Sequence, residues 1–394
     1  MLRDDWGGAL IVTHLAIQNW RNFRSSEVDL TDRTFVLGAN ASGKSNFLDV
    51  FRFLRDVCSP QGGGLQKAIQ SRGGLSKVRC LSARQNPHIE IDVTLKPSLD
   101  SDESWRYILS IAQEPRGFRR PIVQKEVVYK DDQKILERPD KDDGRDPERL
   151  IQTHIEQVNN NVEFRDVARF FASTTYLHLV PQLLRFNDEI QGRTIETDPF
   201  GQGFLDRVAK TTARSQKSRL SRIERALKIA VPNLEQLKFE RDEATGRPHL
   251  AALYKHWRAN AGWQREDQFS DGTLRLIGLL WALLEDDALL LLEEPELSLN
   301  SAIVAKLAPL IYRLQRQRRR QVILSTHSVD LLSDPGIAAE EVILLDTSGE
   351  ATKAVNLREV SDSYQLVKSG FPISEAVLPK TAPAQIDLFA QVDD

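Results

Sequence analysis

The sequence predicts an α/β fold organised around a phosphate-binding loop. Residues 37–46 read LGANASGKSN and fit the pattern GxxxxGK[ST], in which backbone N–H groups surround phosphates at the start of a helix. The short apolar segment TFVLG precedes this loop, and NFLDVFRFLRDV follows it with apolar residues at helical spacing. A later segment, ALLLLE, has the character of a buried parallel strand that ends in an acid. Strand, loop and helix therefore occur in the order of a nucleotide-binding unit.

The composition predicts a chain with a substantial core and no strongly basic surface. With 394 residues, 41% of them hydrophobic, the chain can bury one large core or two smaller ones, and its net charge of −3 confines any nucleic-acid contact to local basic patches. The start, MLRDDWGGAL, lacks the features of a secretory signal, and acids interrupt the longest apolar region, GLLWALLEDDALLLL. Two cysteines form no disulfide framework or metal spacing. We expect a cytoplasmic protein without a membrane span.

Alternating patterns predict antiparallel strands in the first part of the chain. IVTHLAIQNW and SSEVDL read as paired strands before the loop, and HIEIDVTL, SWRYILSIA and PIVQKEVVYK read as a second antiparallel group after it. The charged stretch ERPDKDDGRDPER then predicts a solvated loop.

The middle of the chain reads as an insert that resembles a lid. One amphipathic helix is expected at about 204–230, followed by a hairpin whose strands LEQLKFERD and HLAALYKHW are joined by EATGRP. The chain then returns to α/β character, with a helix at GTLRLIGLLWALL and strands at ALLLLE, QVILS and EVILLD, after which only a short polar tail is expected. The predicted domains are 1–182 and 268–380 for the two parts of one nucleotide-binding head, 183–267 for the lid, and 381–394 for a disordered tail.

The loop residues are the first candidate site. Lysine in this pattern neutralises phosphate charge, and the hydroxyl that follows coordinates Mg²⁺. The residues expected to bind the phosphates are Gly38, Ala39, Asn40, Ala41, Ser42, Gly43, Lys44, Ser45 and Asn46.

Polar residues at strand ends extend this candidate site. Glu293 and Glu294 end the strand ALLLLE, so one acid can hold the Mg²⁺ shell while the other orients and deprotonates a water. His327 follows the strand QVILS, where imidazole can hydrogen-bond a phosphate or water. In QFSDGT, Ser270 or Asp271 can cap a helix and Gly272 lets backbone approach an anion.

The order of these segments resembles the ABC-type ATPases of the SMC, RecF and OLD-like group. The resemblance identifies GANASGKS as Walker A, FSDGT as the signature, LLLLEEPE as Walker B and STHS as the switch. It implies a P-loop ATPase head with an antiparallel β subdomain and a helical and β-hairpin lid, using ATP and Mg²⁺. Arg72 in SRGGLSKV then matches the arginine loop, and Gln182 in YLHLVPQLLR matches the glutamine that reaches Mg²⁺; a turn arginine and a surface glutamine are the alternatives.

The resemblance also implies a composite site in a homodimer. Ser270 and Gly272 of one chain would face the γ-phosphate held by Lys44 of another, so two equivalent sites would form. Three departures from the usual pattern predict slow hydrolysis: Glu293 stands where Asp is usual, FSDGT replaces a glycine-glycine-glutamine signature, and Asn300 occupies a position that is often acidic or His.

The function predicted from this resemblance is an ATP-gated dimer that acts in DNA maintenance or antiphage defence. It would work with a separate effector, for example a nuclease from the same operon. Two alternatives stay open, the nucleotide-binding subunit of a transporter and the ATPase subunit of an OLD-like nuclease complex. The chain after His327 is too short for the Toprim domain that OLD-like proteins carry.

Two further segments predict contacts with other macromolecules. A basic face on the insert helix would track DNA phosphates, with a solvated helix face as the alternative. Its residues are Arg207, Lys210, Arg214, Lys217, Arg225 and Lys228. In the tail, QIDLF at Gln385–Phe389 resembles the peptide that docks on the bacterial sliding clamp. Folding back onto this chain and pairing with a partner's sheet edge are the alternatives for that peptide.

Overall fold

The computed structural model describes residues 10–59, 63–83, 88–185, 201, 203–258, 262–285 and 289–381. The chain divides into two compact units. The first unit comprises Met1–Thr175, Asp287–Leu291 and Arg319–Asp394, and the second comprises Tyr176–Asp286 and Leu292–Arg318. The predicted tail and its QIDLF peptide lie outside the described residues.

The strands of the described residues follow in chain order. They are β1 (Ile11–Trp20), β2 (Phe23–Asp29), β3 (Arg33–Leu37), β4 (Ile89–Lys96), β5 (Trp105–Gln113), β6 (Pro121–Lys130), β7 (Gln133–Arg138), β8 (Thr175–Leu177), β9 (Leu234–Arg241), β10 (Pro248–Tyr254), β11 (Trp263–Arg265), β12 (Leu289–Glu293), β13 (Gln321–Ser325), β14 (Val342–Asp346) and β15 (Lys353–Asn356).

The α-helices of the described residues are mostly short. They are α1 (Lys44–Cys58), α2 (Leu65–Gln70), α3 (Leu75–Val78), α4 (Lys141–Arg145), α5 (Arg165–Ala172), α6 (Pro181–Arg185), α7 (Phe204–Lys210), α8 (Ala213–Ala230), α9 (Asp271–Leu284), α10 (Ser301–Val304), α11 (Leu307–Arg318), α12 (Val329–Leu332), α13 (Ser361–Lys368) and α14 (Ile373–Thr381). Within this part of the chain, no helix combines the length and the apolar character needed to cross a membrane.

The first unit contains the predicted antiparallel sheet, with strand order β2-β1-β4-β5-β6-β7. Apolar residues alternate along β4, where Ile89, Ile91, Val93 and Leu95 are buried. Because successive side chains of a strand point to opposite faces, this spacing directs one face of β4 into the core. The alternation read from the sequence is therefore confirmed.

In the first unit, the phosphate-binding loop follows β3, which is a strand of a second, mostly parallel sheet. In the order β15-β14-β3-β13-β12-β8, β3 pairs in parallel with both β13 and β14, while β15 is antiparallel to β14. All five residues of β3 are buried, as expected for a strand with parallel neighbours on both sides. Helix α1 packs against α5 and against β13. The position of β3 between its two neighbouring strands thus sets where the loop begins.

Two predictions about the first unit are wrong. The charged stretch after β7 is not a solvated loop, because Arg138 and Asp143 are buried. Arg138 donates to Glu126 of β6 at 3.1 Å and to Asp143 at 2.8 Å, which satisfies the charges internally. Likewise, the chain after β14 is not merely a polar tail, since it forms β15, α13 and α14. Four residues of β15 give too short a pattern to identify a strand from the sequence.

The buried Arg138 group gives a stability prediction. Burial raises the pKa of Glu126, although the N–H groups of His154 and Ile155 and the charge of Arg138 act against that rise. Arg138→Ala would leave Glu126 buried without its cation and Asp143 with only Arg149 at 3.6 Å, so we expect the free energy of unfolding to fall by about 3–5 kcal/mol. Urea denaturation measures this change in the free energy of unfolding. The matched control is Arg145→Ala, which removes an exposed pair with Asp142 and should cost at most about 1 kcal/mol. Equal losses would contradict the burial argument.

In the second unit, the insert helix predicted over 204–230 is broken into α7 and α8. Thr211 has an extended backbone, and the Thr212 hydroxyl accepts a hydrogen bond from Ser215 N, so a new helix begins there. Arg207 and Lys210 therefore do not share a helix with the other four predicted basic residues. Arg207 lies 3.9 Å from Glu285.

The predicted hairpin of the second unit is confirmed as β9 and β10, and β11 adds a third strand in the order β11-β10-β9. Helix α8 packs on α9 and β9 through the buried side chains of Leu220, Ile223 and Leu227. The predicted limits of the lid at 183 and 267 stay a prediction.

Candidate functional site

The loop between β3 and α1 is closed tightly enough to require glycine at two positions. Gly43 has φ of 100°, and a Cβ there would overlap the side-chain amide of Asn22. At Gly38, a Cβ would lie 2.5 Å from Ser42 Oγ and 3.0 Å from Leu345 Cβ. Positive φ and close approach are the two conditions that only glycine meets without strain. The loop geometry thus explains both glycines of the pattern.

The polar groups of the loop are arranged for an anion. Lys44 is 8% exposed, and its Nζ donates to Gly38 O at 3.0 Å and to Ala39 O at 3.2 Å. Among the described residues no side chain caps the start of α1, and N–H groups at such a helix start are a common site for anions. The buried Ser42 Oγ has no hydrogen-bond partner among the described residues, and Ser45 is exposed. These features fit a phosphate chain.

Asn22 and Thr352 are hydrogen-bonded to the backbone of the loop, and the sequence analysis predicted neither residue. Asn22 Nδ2 donates to Ser42 O at 2.8 Å and to Thr352 Oγ1 at 2.6 Å. Thr352 Oγ1 also donates to Ser42 O, and Asn46 Nδ2 donates to Asn22 Oδ1 at 2.8 Å. Asn22 and Ser42 are 20 residues apart in the sequence, and Asn22 and Thr352 are 330 apart, so no local pattern could reveal these contacts.

A cleft of about 740 Å³ opens beside the loop in the first unit. Asn46 and Ala41 of the loop segment line one part of it. Three cations, Arg21, Lys77 and Arg79, and one acid, Glu350, also line it, together with Asn22 and residues 76, 80–82, 347, 349 and 351–352. The cleft was not predicted, because its walls come from four separate parts of the sequence.

Arg72 is engaged with carboxylates of α1. Its guanidinium donates to Asp49 at 2.8 Å and pairs with Asp56 at 2.9 Å, and it lies over the ring of Phe53. Although burial alone raises the pKa of Asp49, the charge and hydrogen bonds of Arg72 leave that pKa below its ordinary value. These contacts form a structural ion pair, and the arginine-loop role of Arg72 stays a prediction.

His327 lies just beyond β13, at the sheet edge where the loop leaves β3. Thr326 N donates to Val36 O at 3.4 Å, which ties the end of β13 to the end of β3. The His327 side chain is exposed. The structure thus gives His327 the strand-end position that was predicted for it.

The two acids at the end of β12 differ in their local geometry. Tyr176 donates its hydroxyl proton to Glu293, a short contact that sequence reasoning missed. Glu294 adopts a left-handed backbone with φ of 44°, which costs about 1–2 kcal/mol for a residue with a Cβ. Such strained residues concentrate at functional sites.

The segment FSDGT of the second unit forms the start of α9. Ser270 caps this helix and accepts a hydrogen bond from Thr273 N at 3.2 Å, as predicted. Asp271 accepts hydrogen bonds from Gln182 at 3.1 Å and lies 2.6 Å from Arg185. A Cβ at Gly272 would lie 2.6 Å from Ser298 O, so this glycine permits a close approach of backbone. Gln182 is thus brought to the signature segment, and Arg185 is an addition to the predicted set.

A family model described as "AAA domain, putative AbiEii toxin, Type IV TA system" matches residues 33–334, from the start of β3 to beyond His327. The chain belongs to this family. The match spans well over half of the chain and covers parts of the first unit and all of the second. Membership of this AAA family confirms the predicted relationship at the level of the nucleotide-binding domain.

Solved structures confirm the fold class of this family member. The SMC head bound to the C-terminal winged-helix domain of ScpA is 12% identical, with a TM-score of 0.53, over 89% of this chain and 99% of that one. The Smc head with an extended coiled coil, bound to the C-terminal domain of ScpA and derived from Pyrococcus furiosus, is 14% identical. Its TM-score is 0.50, over 91% of this chain and all of that one. No curated protein matches the chain.

Proposed function

We propose that this AAA-family protein binds ATP with Mg²⁺ at residues 38–46 and hydrolyses it between two copies of the chain. The observation that carries the proposal is the loop itself. Its lysine lies folded onto Gly38 and Ala39, its helix start is uncapped, and the hydroxyl of Ser42 has no partner among the described residues. A phosphate chain satisfies all of these groups together.

The residue types present suit Mg²⁺. Within the described part of the chain, no three His, Cys, Asp or Glu side chains form a metal cluster. Mg²⁺ does not require one, because it keeps several waters and binds substrate phosphates with one or two protein oxygens. The Ser45 hydroxyl and the Glu293 carboxylate are the proposed oxygens. Mg²⁺, when bound, neutralises charge on the transferred phosphoryl group.

The remaining roles follow from the chemistry of each side chain. Lys44 neutralises the phosphates, Glu294 orients the attacking water and accepts its proton, and His327 hydrogen-bonds the terminal phosphate or that water. We place the base and sugar of the nucleotide in the cleft beside Asn46. Lys77 and Arg79 line that cleft and can donate hydrogen bonds to the ribose and the base.

The proposed dimer is supported by the exposure of Ser270 at the start of α9. There the serine hydroxyl and the first helix N–H groups can bind an anion held by another chain. Ser270 and Gly272 of one chain then complete the site around Lys44 of the other.

Mixing inactive variants tests this exchange between chains. Lys44→Ala and Ser270→Arg should each be inactive, but their heterodimers contain one complete site of two. A one-to-one mixture should therefore hydrolyse ATP although neither variant does so alone, at up to about half of the wild-type rate, because a heterodimer has one complete site of two. Lys44→Ala mixed with Glu294→Gln is the matched control, since both defects fall in the part of the site that one chain supplies, and it should stay inactive. An inactive first mixture whose heterodimers are visible by light scattering would contradict the composite site.

For the wider role, we propose a cytoplasmic ATP-gated dimer in DNA maintenance or antiphage defence, with a separate effector protein. The family description names a toxin of a Type IV toxin–antitoxin system, and the similar SMC heads are bound to ScpA domains. Both support a head that works with another protein. They favour this role over that of a transporter subunit.

A further inference from the structure

Helix α8 concentrates positive charge on its solvent side. Its 18 residues, ARSQKSRLSRIERALKIA, include six Arg or Lys and a single Glu, whereas the whole chain has a net charge of −3. Arg219 packs over Trp281, and the remaining five cations are exposed. These five are Arg214, Lys217, Arg222, Arg225 and Lys228. Lys228 contacts Glu224 at 2.7 Å, so most of the positive charge on this face remains for an outside anion.

An exposed tryptophan lies in a segment tied to the end of this helix. Lys255 N donates to Asn233 O at 2.8 Å, which joins the segment after β10 to the segment after α8. Two residues beyond Lys255, the Trp257 side chain is 80% exposed. Ile229, in the last turn of α8, is 86% exposed. Two large apolar side chains thus stand in solvent at these joined segments.

The surroundings of Trp257 are cationic. The Arg258 guanidinium lies 4.4 Å from the centre of the indole ring, and the His256 ring stacks beside it at 5.5 Å. With Lys255, these residues place an aromatic surface among positive charges. The Trp257 indole is exposed and lies among positive charges. It therefore favours a ligand that has both flat aromatic rings and negative charge. Nucleic acid with accessible bases has both.

We propose that the solvent face of α8 and residues 255–258 together bind single-stranded nucleic acid. Its phosphates lie on the cations of α8, and one unpaired base stacks on Trp257. Bases inside a duplex are stacked on one another, so the site requires an overhang, a gap or a free strand. This inference specifies the DNA contact of the proposed function and rests on it for its biological meaning, but the binding itself needs no ATP.

The test measures binding of a labelled 20-nucleotide oligothymidylate to the full chain without ATP, by fluorescence anisotropy. Trp257→Ala should weaken binding roughly 5- to 150-fold, the range that corresponds to about 1–3 kcal/mol for stacking of one base. Trp257→Phe should retain most of the affinity. The matched control is Phe118→Ala in the first unit, because Phe118 is 87% exposed and also has an arginine, Arg120, over its ring. That control should bind like wild type.

The charge contribution is measured in the same assay. Reversing Lys217 and Arg225 to Glu should weaken binding and flatten the dependence of affinity on salt, because fewer counterions are released. A blunt duplex should bind more weakly than the single strand and should be insensitive to Trp257→Ala. Wild-type affinity in Trp257→Ala would overturn the proposal, as would competition by polyglutamate equal to that by oligothymidylate. Either result would leave the ATP site unaffected.

Discussion

Glu294→Gln is expected to reduce ATP hydrolysis by roughly 10²-fold or more while ATP binding is retained. The amide has nearly the same size as the carboxylate and can still orient a water, but it cannot accept the proton. The strained backbone at Glu294, with φ of 44°, marks this residue as one that the fold holds in place at an energetic cost. Phosphate release measures turnover, and titration with a fluorescent ATP analogue measures affinity.

The control for this change is Glu243→Gln, which alters an exposed carboxylate in the turn between β9 and β10. Its turnover should equal that of wild type. If Glu294→Gln also hydrolyses ATP at the wild-type rate, the proton acceptor is a different residue.

Lys44→Ala is expected to abolish hydrolysis and to weaken ATP binding by roughly 10- to 150-fold. Lys44 is the cation at the centre of the loop, and one hydrogen bond to a charged group contributes about 1.5–3 kcal/mol. The substitution also removes the contacts from Nζ to Gly38 O and Ala39 O, so the loop loses part of its own support. Equilibrium titration with the fluorescent ATP analogue measures the loss.

Lys125→Ala provides the comparison for this change, because Lys125 is an exposed lysine of β6 in the same unit. It should bind ATP normally. An ATP affinity of Lys44→Ala within a few-fold of wild type would place the phosphates elsewhere.

The parts of the site that were predictable are those encoded by short stretches of sequence. Gly38, Gly43 and Lys44 form a local pattern between a strand and a helix, and Ser270 caps the helix that follows it. These features depend on backbone geometry over a few residues, so neighbouring sequence is sufficient to predict them.

The parts that were not predictable depend on contacts between distant segments. Thr352 meets Asn22 across 330 residues, and Tyr176 reaches Glu293 across 117. Arg138 looked like a solvated charge because its partner Glu126 lies on another strand. Burial and pairing of such groups appear only when the fold brings the strands together. The break between α7 and α8 was missed for the opposite reason, since the apolar spacing continues across a cap made by Thr212.

Light scattering of Glu294→Gln, with and without ATP and Mg²⁺, decides whether two chains share the nucleotide. A variant that binds ATP but cannot hydrolyse it should accumulate the closed form, so we expect a monomer without nucleotide and a dimer at saturating ATP. Lys44→Ala, measured in parallel, should remain monomeric under both conditions. A monomeric Glu294→Gln at saturating ATP, with binding confirmed by titration, would contradict the composite site.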